Sequence, residues 1–195
     1  MSKPSVNIYL IGFMGCGKSY WSKQLSRELK IPVCDIDDII EDKYNAKIWE
    51  IFHAKGEDYF REIEYQVLQD LIRIKNDCIV SCGGGIPCYN NNMALMNVHG
   101  ITLYLKASKE YVFNNLKRNR ERRPLIAKLN DVELRSFIDI KLDERKSHYE
   151  KAMYIIDIDN IESSDILKTV INCINQHELN RYCGDNPSVL IQPPK

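Results

Sequence analysis

Residues 12–19 read Gly-Phe-Met-Gly-Cys-Gly-Lys-Ser, and this run constrains everything around it. Its glycines let the backbone wrap tightly, so that successive N–H groups and the pole of a following helix converge on one anion. Such a loop requires a strand leading in and a helix leading out. Both are predicted. Residues 6–11 are a short apolar run that stops at Gly12, as a strand buried in a parallel sheet does. Residues 18–30 carry Trp21, Leu25 and Leu29 at helical spacing. The pattern GxxxxGK[ST] also fixes chemistry: Lys18 brings a mobile cation to the terminal phosphates, and the Ser19 hydroxyl is suited to Mg²⁺. The loop specifies a nucleoside triphosphate and says nothing of what receives the phosphate.

The rest of the chain alternates strand and helix. Apolar runs at residues 33–36, 78–82, 101–105 and 153–158 predict four further strands. Helical spacing is clearest over 57–74, where Phe60, Ile63, Val67, Leu71 and Ile74 form one stripe, and recurs from about 109, over 131–150 and over 164–177. The alternation predicts an α/β fold, a five-stranded parallel sheet with helices on both faces. Residues 1–180 are expected to form a single domain, with a polar, Arg-rich, mobile loop at about 119–130. Residues 181–195, with three prolines and no period, are expected to be a loosely held tail.

Composition mostly excludes. Lys plus Arg and Asp plus Glu both total 27, so no global basic field points to nucleic acid or an anionic membrane. Seven cysteines, an odd number without a CxxC pair, suggest neither a disulfide framework nor a structural zinc site. No run is long enough to span a bilayer and no cleavable leader is recognised, so a cytoplasmic protein is expected.

An acceptor site needs groups for a hydroxyl, for the metal and for closing off water. The second strand ends in Asp35-Ile36-Asp37-Asp38. On an extended segment Asp35 and Asp37 would project together at the carboxyl edge, where ligands gather in open α/β sheets. One could hold the metal and the other accept a hydroxyl proton. The same acids would equally suit the first turn of a helix. Gly83, Gly84 and Gly85 follow the third strand and would let bare backbone approach a ligand, or simply make a turn. Arg61 and Arg145 lie on predicted helices, where solvated or salt-bridged arginines are the ordinary outcome. Arg118, Arg120, Arg122 and Arg123 suit a lid over a transferring phosphoryl group better than a nucleic-acid patch, because no aromatics interleave with them.

In this order, the phosphate loop, Asp35-Ile36-Asp37, Gly56-Glu57 with Phe60-Arg61-Glu62, the triple glycine, Arg123-Pro124-Leu125, and Glu144-Arg145 with Tyr149 resemble the shikimate kinase family over residues 6–157. The resemblance implies a nucleoside monophosphate kinase-like P-loop fold and transfer of phosphate from ATP to the 3-hydroxyl of shikimate. It implies that Gly12, Gly15, Cys16, Gly17, Lys18, Ser19, Tyr20, Arg118 and Arg123 meet ATP, with Arg118 packing on adenine unless Arg120 takes that place. Ser19 and Asp35 would hold Mg²⁺. Asp37, Arg61, Gly83, Gly84, Gly85 and Arg145 would bind shikimate, the arginines gripping its carboxylate with their planar forks. Asp37, Lys18 and Arg123 would carry catalysis in a monomer. Cys82 departs from the Ser or Thr that many relatives place before the triple glycine. The competing expectations are another small-molecule P-loop kinase such as a gluconate kinase, a nucleotide-binding module without catalysis, and an RNA-binding protein.

Overall fold

Residues 6–74 and 77–183 are described in the computed structural model. Five short strands, β1 (Asn7–Ile11), β2 (Val33–Asp35), β3 (Ile79–Ser81), β4 (Gly100–Lys106) and β5 (Tyr154–Asp157), form one parallel sheet in the order β2-β3-β1-β4-β5. The central strand is buried at every position, as a strand covered on both faces must be. Helices α1 (Lys18–Leu29), α2 (Ile36–Tyr44), α3 (Ile48–Lys55), α4 (Glu57–Ile74), α5 (Asn92–His99), α6 (Lys109–Arg118), α7 (Asp131–Tyr149) and α8 (Ser163–Cys183) make up the rest, with short 3-10 turns at Ile86–Cys88 and Arg120–Arg122.

The topology places the functional edge. The chain leaves β1 towards β2 and leaves β3 towards β4, so the connections diverge between two paired strands, the position where open parallel sheets gather ligands. Register aligns Leu10 with Ser81 and Ser81 with Asp35. The phosphate loop, the triple glycine and the aspartates therefore leave the sheet side by side. Phe60, Ile63, Val67, Leu68 and Leu71 bury the inner face of α4 as its period requires.

Several expectations are corrected. Residues 33–36 are not all extended: β2 ends at Asp35, and Asp37 lies in the first turn of α2. Two short helices, α3 and α5, fall where none was expected, and α2 realises the helix start that the acids at 35–38 allowed. The tail predicted from residue 181 begins inside α8, which continues to Cys183; residues 184–195 lie outside the described residues. The segment at 119–130 is not featureless. It holds the turn at Arg120–Arg122 and the fully buried Ile126.

Candidate active site

The phosphate loop is shaped by glycine where its path demands it. Gly12, Gly15 and Gly17 all have positive φ, and a side chain at Gly12 would meet the Leu105 carbonyl at 2.8 Å. Gly17 precedes the first turn of α1, which contains no acidic residue, so the helix pole is free to meet an anion. From the other side α6 supports the loop: Asn115 donates to the Gly15 carbonyl at 3.0 Å, and Leu116 packs under Gly15. Lys18 curls back, its Nζ donating to the carbonyls of Gly12 (2.8 Å) and Phe13 (3.0 Å). Cys16 is fully buried and its amide donates to the Phe13 carbonyl, whereas Ser19 and Tyr20 are exposed at the mouth.

Asp35 does two local jobs at once. As the residue before α2 it accepts the Asp37 amide at 3.1 Å, and its carboxylate stands beside that of Asp37. Both sequence alternatives hold here: the acids start a helix, and they still gather at the carboxyl edge of the sheet. Burial first, then repulsion from Asp35, pushes the Asp37 carboxyl up to about 6, with Lys18 pulling the other way.

Around the triple glycine the structure brings together side chains from three separate helices, α2, α4 and α7. A methyl group at Gly83 would lie 2.6 Å from Glu64 Oε1 and 3.2 Å from Asp37 Oδ1, and one at Gly84 would lie 3.2 Å from Arg145 Nη1. At Gly85 it would overlap the Arg61 guanidinium. Only bare backbone fits among these groups. The Tyr149 hydroxyl holds the run from below, donating to the Gly84 carbonyl at 2.6 Å.

Arg61 is not a solvated helix arginine. Its Nη1 donates to Glu64 at 2.6 Å and its Nη2 to Glu57 at 2.8 Å, while Cζ lies 5.5 and 5.6 Å from the Phe60 and Phe52 ring centres. Glu64 is only 2% exposed, and burial raises its carboxyl to about 7 in spite of Arg61. Glu57, nearer the surface, is instead held below the usual carboxylate range by Arg61. Arg145 is not salt-bridged either: it is half-buried, lies 5.7 Å from the Phe13 ring centre, and makes no ion pair among the described residues. The Arg61 fork is thus shared with two carboxylates, and the Arg145 fork is left with charge to offer an anion.

Sequence reasoning missed Glu64. A signal was present: Glu64 stands four residues after Phe60 and three before Val67, so it falls on the apolar stripe of α4. In the segment after α6, Arg118 is exposed and without an ion pair among the described residues, whereas Arg120 is committed to the Leu129 carbonyl and the Asp131 carboxylate. Arg123 has a guanidinium nitrogen, Nη1, that is buried without an acceptor, and burial lowers its pKa. A donor left buried and empty is expensive, and an anion arriving at the site would satisfy it.

Comparisons with known proteins point to one family. The shikimate kinase family model matches residues 14–175. A shikimate kinase of Flavobacterium johnsoniae is 36% identical over 168 residues, covering 86% of this chain and 98% of the relative. One of Bacteroides fragilis is 36% identical over 166 residues, 85% and 92% of the two chains. Among solved structures, the shikimate kinase of Bacteroides thetaiotaomicron superposes with a TM-score of 0.78 at 31% identity over 91% of this chain and 98% of the other. That of Acinetobacter baumannii, determined in complex with shikimate, gives 0.79 at 29% identity over 90% and 97%. A gluconokinase of Sinorhizobium meliloti, at 13% identity and a TM-score of 0.61, shares the fold alone.

Proposed function

The chain belongs to the shikimate kinase family, whose members are ATP-dependent kinases, and we propose that it transfers the γ-phosphate of ATP to the 3-hydroxyl of shikimate through the residues just described. The observation that carries the assignment of roles is the triple glycine ringed by Asp37, Arg61, Glu64 and Arg145 beside a phosphate loop. An acid bearing ring hydroxyls needs cations for its carboxylate and a carboxylate for its hydroxyl, and this ring supplies both kinds. Arg145 takes the substrate carboxylate, joined by Arg61, while Gly83, Gly84 and Gly85 line the ring. Asp37 accepts the proton of the 3-hydroxyl. Its pKa of about 6 leaves it ionised at neutral pH yet more basic than an ordinary aspartate.

The oxygen so oriented attacks the γ-phosphorus as the bond to the β–γ bridging oxygen breaks, and ADP leaves with the electron pair. Lys18, the loop amides and Arg123 hold the phosphoryl oxygens through this step. Ser19 and Asp35 would hold the magnesium ion. Both offer hard oxygens, and the crowding of Asp35 against Asp37 is a local excess of negative charge that a dication relieves. When bound, Mg²⁺ neutralises charge on the nucleotide phosphates. Arg118 is the residue proposed for adenine.

We place this activity in a single catalytic domain that closes with α8, working as a monomer in the cytoplasm with no nucleic-acid or membrane partner. Among the described residues no helix is long and apolar enough to cross a membrane. A coupled assay of ADP release with shikimate, gluconate and nucleoside monophosphates side by side tests the substrate. Release with shikimate alone is expected, and release with gluconate but not shikimate would overturn the assignment.

A further inference from the structure

The segment joining α6 to α7 is closed at its neck by three charged groups. The two oxygens of the Asp131 carboxylate each take one cation: Oδ2 receives Lys117 Nζ from the last turn of α6, and Oδ1 receives Arg120 Nη2. The other arm of Arg120, Nη1, donates to the Leu129 carbonyl at 2.6 Å. One guanidinium thus spans from residue 120 to residues 129 and 131 and ties the two ends of the loop together. Asp131 is itself fixed, because it opens α7, where Asn130 caps the amides of Val132 and Glu133 and Glu133 caps Asn130 in return.

Inside this closed neck the loop is held by a chain of backbone bonds, Arg123 to Arg120 (2.9 Å), Ile126 to Arg123 (3.0 Å) and Leu129 to Ile126 (3.1 Å), with the Ile126 side chain fully buried beneath. Arg123 stands within this chain, three residues beyond Arg120, and carries the buried nitrogen without an acceptor. We propose that Asp131, through Arg120 and Lys117, is the latch that gives the lid its shape and sets where Arg123 meets the transferring phosphate, so that Asp131 and Arg120 are positioning residues for phosphoryl transfer. The inference rests on the assignment of Arg123 to the phosphates made above.

The physical reason is conformational entropy. Without the cross-tie the ends of the twelve-residue connection, 119–130, are free to separate, and each short turn within it must hold by itself. A guanidinium that must meet a moving phosphoryl group within an ångström then spends less time in place. As an isolated surface ion pair the latch would matter little. It matters here because Arg120 is only 19% exposed and bonds two acceptors at once.

The test compares the full-length protein with Asp131→Ala, Asp131→Glu, Arg120→Met and, as a reference, Arg123→Ala. Two measurements are made on each: amide hydrogen exchange in peptides spanning residues 120–130, and steady-state kinetics with both substrates. Faster exchange confined to that span is expected in Asp131→Ala and Arg120→Met, with kcat lowered about tenfold and the KM for shikimate within about twofold of wild type. Asp131→Glu should restore much of both. Unchanged exchange in both latch variants overturns the latch, whatever the activity. Faster exchange with wild-type kcat, while Arg123→Ala is slow, overturns its positioning role. Should Arg123→Ala turn over normally, the phosphate assignment of Arg123 fails and the positioning role falls with it, an outcome distinct from the other two.

Discussion

Glu64 offers the most quantitative test of the site's electrostatics. Its carboxyl is 2% exposed and ion-paired at 2.6 Å with Arg61, yet burial raises it from 4.5 to about 7. The attraction of one guanidinium does not make up for lost hydration, and Asp37 nearby adds repulsion. Because the folded-state value lies above the unfolded one, the native protein holds a proton that the unfolded chain releases between those two values. Stability from this group is therefore greatest below the unfolded pKa and falls as pH rises, by about 1.4 kcal/mol per pH unit, until the folded pKa is passed. Over the interval from 4.5 to about 7 the loss amounts to about 3 kcal/mol.

Replacing Glu64 by Gln keeps the shape and removes the titration. Urea unfolding of wild type and Glu64→Gln at a series of pH values from about 4 to about 8 should give stability curves that diverge. The variant gains on wild type by about 3 kcal/mol across the range, while the upward shift of Asp37 acts on both proteins in the same direction. Curves that stay parallel to within about 0.5 kcal/mol would refute the reasoning, since Glu64 would then titrate in the folded protein as it does in the unfolded chain. The same variant leaves Arg61 with a neutral partner, so a change in shikimate KM accompanies the shift in stability.

Two further perturbations probe the ring of groups directly. Asp37→Asn should lower kcat by about 10²–10⁴ while calorimetric titration finds ATP affinity close to wild type, and normal turnover would remove Asp37 from the mechanism. Gly85→Ala puts a methyl group into the Arg61 guanidinium; the expected result is a rise in shikimate KM of about tenfold with the ATP KM unchanged, and an unaltered shikimate KM would show that Arg61 has room to spare.

What the sequence made legible was local. The phosphate loop could be read because strand, glycines, Lys18 and helix lie within some twenty consecutive residues, and each signal confirms its neighbour. The parallel sheet followed from alternation, although α3 and α5 escaped notice and α2 was legible only as one of two readings of its acidic start. Each of these is only eight or nine residues long, and their apolar positions are too few to establish a period. The pairing of Arg61 with Glu57 and Glu64 was half legible, since residues three and four apart on a helix must meet, but which of them is buried depends on how α4 packs. Nothing local could reveal that Arg120 is tied down while Arg118 is not. That difference is made by Asp131, which begins a different helix.

The junction of β2 and α2 unites the two readings of the aspartates, and it does so by having no loop. Asp35 is the last residue of the strand and Ile36 the first of the helix, so strand register fixes Asp35 against Ser81 and helical geometry then fixes Asp37. Capping, usually a matter of stability alone, here sets the orientation of a functional group: the Asp35 oxygen that takes the Asp37 amide also fixes how far apart the two carboxylates stand. Their separation in turn contributes to the basicity of Asp37. Closer approach would raise its pKa further, and wider separation would lower it only in part, because burial is the larger cause. A helix that starts directly at the strand's end holds that distance more firmly than a loop could, which is the physical reason for an acidic helix start and the proposed metal and base aspartates to coincide in four consecutive residues.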